Sequence, residues 1–453
     1  MIPLIKIREA DVLMTGAFPS LPDNQLALWK TVENMVFYDA RVEKLQGVDV
    51  QATAESSIVA LTQADVAGVD RVFYGVAAKL YKFEGGIQSI IGSGYTGTQW
   101  SMEPWGAWLI ATNDVDPVQV WKNTGLADDL TDYFSRAKIV KKLGNHVLFF
   151  NTSIDGKEVR WTSKSNAELL EPDTDNSAGG TPVRDLDSDI VAAEYLGDGI
   201  GFYSNNAYGI VRYIGGSFIF SVVKMLDGFG AAGKDAVVQV SNEHFGFSPT
   251  PGIFRNNGVS ATFIHSPAVG KWLKAEYDPV YGEQVRGVHY QSKELIIWSF
   301  RAKDATMKQI GYHYTTGAWT LGAQNITAFD ESVVEGAGQP LVAIGSSWGY
   351  FDADGSLAAS LTTNALDGGE VNRWKKWDML RLRHELVGDV SVRFGFAEHP
   401  DAAPEWTDFV PLEIDNWIDR EAIYLFVDFS MDEDAAFAVA GFEVFGSLTG
   451  MDR

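Results

Sequence analysis

Gly92, Gly94 and Gly97 stand in a G-x-G-x-x-G pattern (GSGYTG), the spacing with which a glycine-rich turn cradles a dinucleotide pyrophosphate. That chemistry needs a helix opening at the end of the pattern, so that backbone N–H groups converge on the phosphates. An apolar run precedes the glycines, but TQWSMEP at 98–104 is no helix start, and a turn between strands is expected. Gly345-Ser-Ser-Trp-Gly349 matches the G-x-S-x-G of a nucleophile elbow. An elbow turns from strand to helix and needs a histidine base. Here a strand follows and no histidine is placed to serve, so a hairpin is expected.

Histidines 146, 244, 265, 289, 313, 384 and 399 show no H-x-x-x-H or comparable spacing, which predicts structural or surface roles over ligation. Two acidic loops, Asp173-Thr-Asp175 and Asp185-Leu-Asp-Ser-Asp189, could suggest calcium. An EF-hand loop wants Gly at its sixth position and Glu at its twelfth. Counting from Asp173 these are Ala178 and Arg184; from Asp185 they are Ile190 and Leu196, so solvated loops are expected. Sixty acidic residues offer many carboxylate pairs for sugar hydrolysis, but no spacing singles one out. Asp432-Glu-Asp434 reads as a solvated turn, and the sequons at Asn151 and Asn325 weigh little without a secretion signal. The sequence therefore nominates no catalytic, cofactor-binding or metal-ligating residue. The expectation is a protein that is not an enzyme and needs no cofactor.

The elements that carry these residues are strands. Aromatics make up 12% of 453 residues and glycines number 45, a pairing that suits strands punctuated by turns. There is no cysteine, so neither a disulfide framework nor a cysteine metal site exists. No apolar run is long enough for a membrane span, and MIPLIKIREADV carries charges inside its apolar part, so no signal peptide is expected. The formal net charge of −24 argues against wrapping a polyanion by charge.

Residues 292–322 hold three strands in a row: ELIIWSF at 294–300, MKQIGYHY at 307–314 and AWTL at 318–321. A meander this short cannot bury both faces alone. Its strand–turn–strand pattern recurs at 71–83, 107–122, 145–161, 199–213, 243–255 and 341–351. Repeats without helices, spaced by about 35–55 residues, predict a β-propeller of six or seven blades. Residues 126–135 are expected as a short helix or loop, and 268–278 (AVGKWLKAEYD) as a helix between strands. Residues 34–48 read as two strands around Asp39-Ala40, after a turn-rich arm at Phe18–Asp23. After about residue 366, alternating strands at 378–385, 390–396, 409–414, 422–429 and 438–445 predict a β-sandwich of about 80 residues. The expected organisation is all-β: 1–66 an arm with the first or closing strands, 67–365 the propeller, 366–453 the sandwich.

Three stretches in order resemble bacteriophage tail hub or nozzle proteins of short-tailed phages. The first runs Leu21-Pro-Asp, Trp29, Glu33-Asn-Met-Val-Phe37 and Arg41-Val-Glu-Lys-Leu45-Gln-Gly47. The second runs from Val159-Arg-Trp-Thr-Ser163 through 176–180 and Asp189-Ile-Val-Ala-Ala193 to 199–213. The third is the meander at 292–322. The closing Ala422-Ile-Tyr-Leu-Phe426 and Gly441-Phe442 are similar to the sandwich of related virion proteins. The resemblance implies a structural protein of the virion tail, assembled in the host cytoplasm. It implies a homo-oligomeric ring, commonly hexameric, joining portal and adaptor proteins to tail fibre, tailspike or needle proteins. Phage DNA would pass through without specific binding. The competing reading is a carbohydrate-binding or glycoside-cleaving propeller, marked by tryptophans and paired carboxylates at one pocket.

Overall fold

The computed structural model describes residues 3–7, 28–38, 41–131, 133–330, 339–352, 357–370, 373–387 and 389–449. The arm at Phe18–Asp23, the turn at Asp39-Ala40 and residues 353–355 lie outside them.

Seven four-stranded antiparallel units succeed one another along the chain: 58–93, 101–129, 137–182, 192–227, 237–263, 286–322, and 326–352 together with Gly47–Thr53; six are separate sheets and the sixth in order, 286–322, is part of a ten-stranded sheet. They are numbered blades 1 to 7. The first strand of each blade lies beside the first strands of the blades before and after it, and Ile326–Asp330 of blade 7 returns to Ile58–Val66 of blade 1. This closed ring of inner strands defines a seven-bladed β-propeller. The seven strand–turn–strand units of the sequence are the second and third strands of the blades, and the meander at 292–322 also takes in the outer strand of blade 6, Trp319–Gly322. Their strength as a signal has a physical cause. His146–Thr152 is buried at every residue and Leu295–Arg301 at all but the last, because a mid-blade strand is covered on both faces. The outermost strands are weak by contrast. Asp128–Asp129, in the stretch expected as helix or loop, is an exposed two-residue strand paired with Gln119–Trp121.

Packing is divided into layers between blades. Phe73, Trp100, Leu109 and Trp121 fill the layer between blades 1 and 2, and Leu148, Phe150, Ile200 and Phe202 that between blades 3 and 4. The helix Pro267–Glu276 starts where Ser266 accepts the N–H of Val269 and Pro267 occupies the first turn. It buries Val269 and Leu273 over the layer of blades 5 and 6, beside Phe247, Tyr277 and Phe300.

The ring is closed by the chain's N-terminal side. Gly47–Thr53 pairs antiparallel with Ser347–Asp352, Val48 opposite Phe351. The expected boundary at residue 67 is crossed by sheet, since Ile58–Val66 is the innermost strand of blade 1 and pairs with Val69–Val76.

The C-terminal strands form two further sheets facing one another. One contains Met35–Tyr38, Arg41–Lys44, Ala436–Leu448, Lys375–Val387 and Asp415–Ala422, with Pro3–Ile7 also on Ala436–Leu448. The other contains Trp29–Glu33, Ala359–Thr363, Tyr424–Met431 and Val390–Ala397, edged by Glu405–Trp406 and Val410–Pro411. One apolar core that includes Trp29, Phe37, Trp377, Val392, Leu425 and Phe442 lies between them. The second sheet does not stop at the sandwich. Trp29–Glu33 pairs in parallel with Trp319–Gly322, the outer strand of blade 6, and the Asn34 N–H donates to the Leu321 carbonyl at 2.8 Å. Propeller and sandwich therefore share a sheet through a strand from the N-terminal side.

Candidate functional site at the propeller axis

Inner strands turn alternate side chains toward the axis, where they meet only one another. Here they leave a cavity of about 310 Å³, lined by parts of blades 1 to 5 and 7. Among its lining residues are Ser101, Glu103, Lys141, Glu194, Tyr195, Lys234, Asp235 and Asp330. Charges taken off the solvent side of a sheet must be paired or neutralised.

Most are. Lys141 Nζ donates to Glu194 Oε2 at 2.7 Å, and the Tyr195 N–H donates to Glu194 Oε1 at 2.9 Å. Lys234 Nζ donates to both oxygens of Asp235, at 2.8 and 2.6 Å. Arg286 Nε stands 3.3 Å from Asp235 and its Nη2 donates to Gln99 Oε1 at 3.2 Å. Burial pulls the Lys141 ammonium down, but the Glu194 and Glu103 carboxyls outweigh it and hold its pKa above the ordinary value. Burial pushes the Asp235 carboxyl up, and the adjacent Lys234 and Arg286 bring it below the usual range. Lys234, desolvated and repelled by Arg286, is lowered despite Asp235.

Glu103 differs. Its Oε1 accepts the Tyr195 hydroxyl at 3.0 Å, and that hydroxyl accepts the Lys142 N–H at 3.1 Å. No lysine or arginine among the described residues makes an ion pair with it. Burial pushes its carboxyl up to about 7, with Lys141 opposing at longer range. Its partial exposure is to the cavity it lines.

Behind Tyr195 runs a neutral hydrogen-bond chain. Asn256 Nδ2 donates to the Tyr203 hydroxyl at 2.9 Å, Tyr203 Oη lies 2.8 Å from His244 Nδ1, and His244 Nε2 lies 2.7 Å from the Tyr195 carbonyl. The Tyr195 carbonyl requires a proton on Nε2, and burial, which lowers His244 to about 4, keeps the ring neutral so that Nδ1 accepts the Tyr203 hydroxyl.

The motifs nominated and set aside in the sequence lie elsewhere. Gly92–Gly97 joins blade 1 to blade 2 with no helix after it. The Thr96 and Gly97 N–H groups, which a phosphate would need, donate to Asp116 Oδ2 at 2.7 and 2.9 Å. The 345–349 segment is the hairpin between Leu341–Ile344 and Ser347–Asp352, and Ser347 Oγ lies 3.0 Å from Thr53 Oγ1 of the closing strand. Five histidines fall in blades 3 to 6 or next to blade 5: His146 beside the Thr162 carbonyl, His244 on Tyr203, His265 against Ile253, His289 near Tyr314, and His313 capping the turn at Thr316. Asp173 accepts the Thr174 hydroxyl, and Asp187 accepts the hydroxyls of Ser204 and Ser188. Among the described residues no group of three or more His, Asp or Glu could hold a metal ion. What sequence reasoning missed is Glu103, Glu194 and Asp235, far apart in the chain and together at the axis. No local signal marks them, since the corresponding inner strand of blade 3, Ala137–Leu143, carries lysines and no carboxylate.

No family model matches the chain, and no curated protein sequence matches it. Solved structures similar in shape include the computationally designed Ika8 protein, at 11% identity and TM-score 0.43, covering 71% of this chain and 96% of that one. The WD40 domain of Toxoplasma gondii coronin is similar at 14% identity and TM-score 0.38, covering 73% and 92%. BBS1N, in complex with ARL6DN, is similar at 8% identity and TM-score 0.43, covering 69% and 97%. The class of this chain, a β-propeller with additional larger sheets, rests on its own strand order.

Proposed function

We propose that this chain is a structural protein of a bacteriophage tail, a hub or nozzle subunit that joins portal and adaptor proteins to fibre, spike or needle proteins. The observation that carries the reading is the meeting of two stretches that resemble such proteins. Trp29–Glu33 and Trp319–Gly322 are adjacent strands of one sheet, so the resemblance falls on a spatial unit. That unit fastens the sandwich to the propeller, which suits a part that transmits load. Three tryptophans, two in the meander and one at the axial cavity, support the same reading by their packing. Trp298 is fully buried and donates to the Ala236 carbonyl at 3.1 Å, and Trp319 packs 4.7 Å from Tyr312, centroid to centroid. Trp100, at the cavity, is buried with its indole N–H on the Val76 carbonyl.

A duplex does not fit along the axis of one propeller, where paired side chains leave only a small cavity. DNA would pass through a channel bounded by several copies around a ring. A net charge of −24 on each copy would keep phosphate from adhering to its wall. Negative-stain microscopy of the purified chain tests this: rings with a central hole are expected, and a monomer at all concentrations would overturn it.

A further inference from the structure

We propose that the free end of the sandwich is the face with which one copy of this chain docks on the helix Pro267–Glu276 of a second copy. The inference rests on the reading of the chain as a ring-forming subunit, and it names the two faces that meet. The sheet that carries blade 6 runs on from Trp29–Glu33 through Ala359–Thr363 and Tyr424–Met431 to Val390–Ala397, and ends at Glu405–Trp406 and Val410–Pro411. The opposing sheet ends at Asp415–Ala422. The segment 409–417 spans both ends: the Leu412 N–H donates to the Val390 carbonyl at 2.9 Å, and the Ile414 carbonyl accepts the Leu382 N–H at 3.2 Å. This short segment exposes Phe409, Val410, Ile414 and Trp417, the last two at 64% and 70%. An open tryptophan with apolar neighbours has the character of an interface anchor.

The occupant follows from charge. Glu405, Asp408 and Glu413, on or next to the same edge strands, are exposed and form no ion pair among the described residues. Two such ends face to face would set carboxylate against carboxylate, so the complementary face is basic. The chain carries one at blades 5 and 6. Lys271 and Lys274 stand one turn apart on the exposed side of the helix, and Lys303 Nζ donates to the Lys274 carbonyl at 2.5 Å. Lys308 pairs with Glu276 and Asp304, whereas Lys271, Lys274 and Lys303 pair with no carboxylate among the described residues. Beside them Val280 is 82% exposed, in a turn whose Tyr281 ring lies 4.4 Å from the Arg301 guanidinium. An apolar spot among unpaired lysines complements the end of the sandwich: Trp417 would lie on Val280 and the lysine stems, with the ammonium groups on the carboxylates. Both faces are exposed, so they do not meet within one copy. Contact between unlike faces is heterologous, the kind that closes a ring when the rotation permits.

Sedimentation of the full chain tests the contact, with two double variants at exposed positions. Ile414→Ser with Trp417→Ser removes the apolar anchor, and Lys271→Glu with Lys274→Glu reverses the charge of the receiving face. Each variant alone is expected to self-associate more weakly than the wild-type chain, by about tenfold or more. Their equimolar mixture is expected to give a dimer and nothing larger, because one intact sandwich end meets one intact helix while the two altered faces, both acidic, repel. That dimer also shows that both variants are folded. Assemblies that either variant leaves unchanged, or a mixture without the dimer, overturn the contact and leave the ring reading standing. A wild-type chain that is a monomer at all concentrations overturns the ring reading and the contact with it.

Discussion

In the sandwich, Trp29, Trp377, Leu425 and Phe442 lie in one apolar layer between two sheets. At the propeller axis, strands of the same kind turn Glu103, Lys141, Glu194 and Asp235 inward, around a cavity. The difference is geometric. Two sheets face to face leave a gap that apolar side chains fill from both sides. Seven inner strands arranged radially converge where no second layer exists, so the axis tolerates water and charge while the apolar layers sit between blades. Burial of apolar surface holds the first region; mutual neutralisation of charge keeps the second from opening it.

The largest test removes what the two regions share. A chain lacking residues 1–53 loses the closing strand of blade 7 and the strand that joins blade 6 to the sandwich. It is expected to lose cooperative melting altogether, as followed by circular dichroism. Next, Trp377→Ala empties a fully buried site and is expected to cost about 3–5 kcal/mol in denaturant unfolding.

Lys141→Met at the axis leaves Glu194 without its cation. It is expected to cost about 2–3 kcal/mol, less than for a dry pair because both side chains keep some exposure to the cavity. The regions then separate by rescue. Adding Glu194→Leu is expected to recover most of the axial loss by removing the stranded charge, whereas no second substitution refills the space of Trp377.

Stability against pH probes the axis from both sides. Glu103 is raised to about 7, so the folded chain keeps a proton that the unfolded chain releases above its ordinary 4.5. Its contribution is full below about pH 4.5 and is lost as pH rises through 7, on the order of 3 kcal/mol. Glu103→Gln is expected to flatten that alkaline loss. His244 runs the other way: lowered to about 4, it contributes stability above about pH 6.5 that is lost as pH falls through 4. The smallest effect is expected at the sandwich rim, where Arg381 and Asp415 form an exposed bidentate pair. Arg381→Ala should leave the melting temperature within measurement error.

The blades were legible to the extent that their strands are buried on both faces. His146–Thr152, Gly199–Tyr203 and Leu295–Arg301 are strong apolar runs, and each reads as a mid-blade strand from its residues alone. Asp128–Asp129 did not, because an exposed edge strand is held by pairing and not by its own apolar character. The helix after Ser266 was legible from its 3.6-residue spacing. The axial cavity was not legible. Glu103 and Glu194 are single carboxylates among sixty acidic residues, and nothing local distinguishes them.

The sequence by itself determined an all-β chain, seven repeated units, an alternating C-terminal module and the absence of cysteine chemistry, because periodicity and composition are local properties. Tertiary structure alone decided that the blades number seven, that Gly47–Thr53 closes the last of them, and that Trp29–Glu33 ties blade 6 to the sandwich. It alone brought Glu103 beside Tyr195, 92 positions away. Pairing between distant strands depends on which edges remain unsatisfied once each local meander has formed, and closing the ring is what satisfies them.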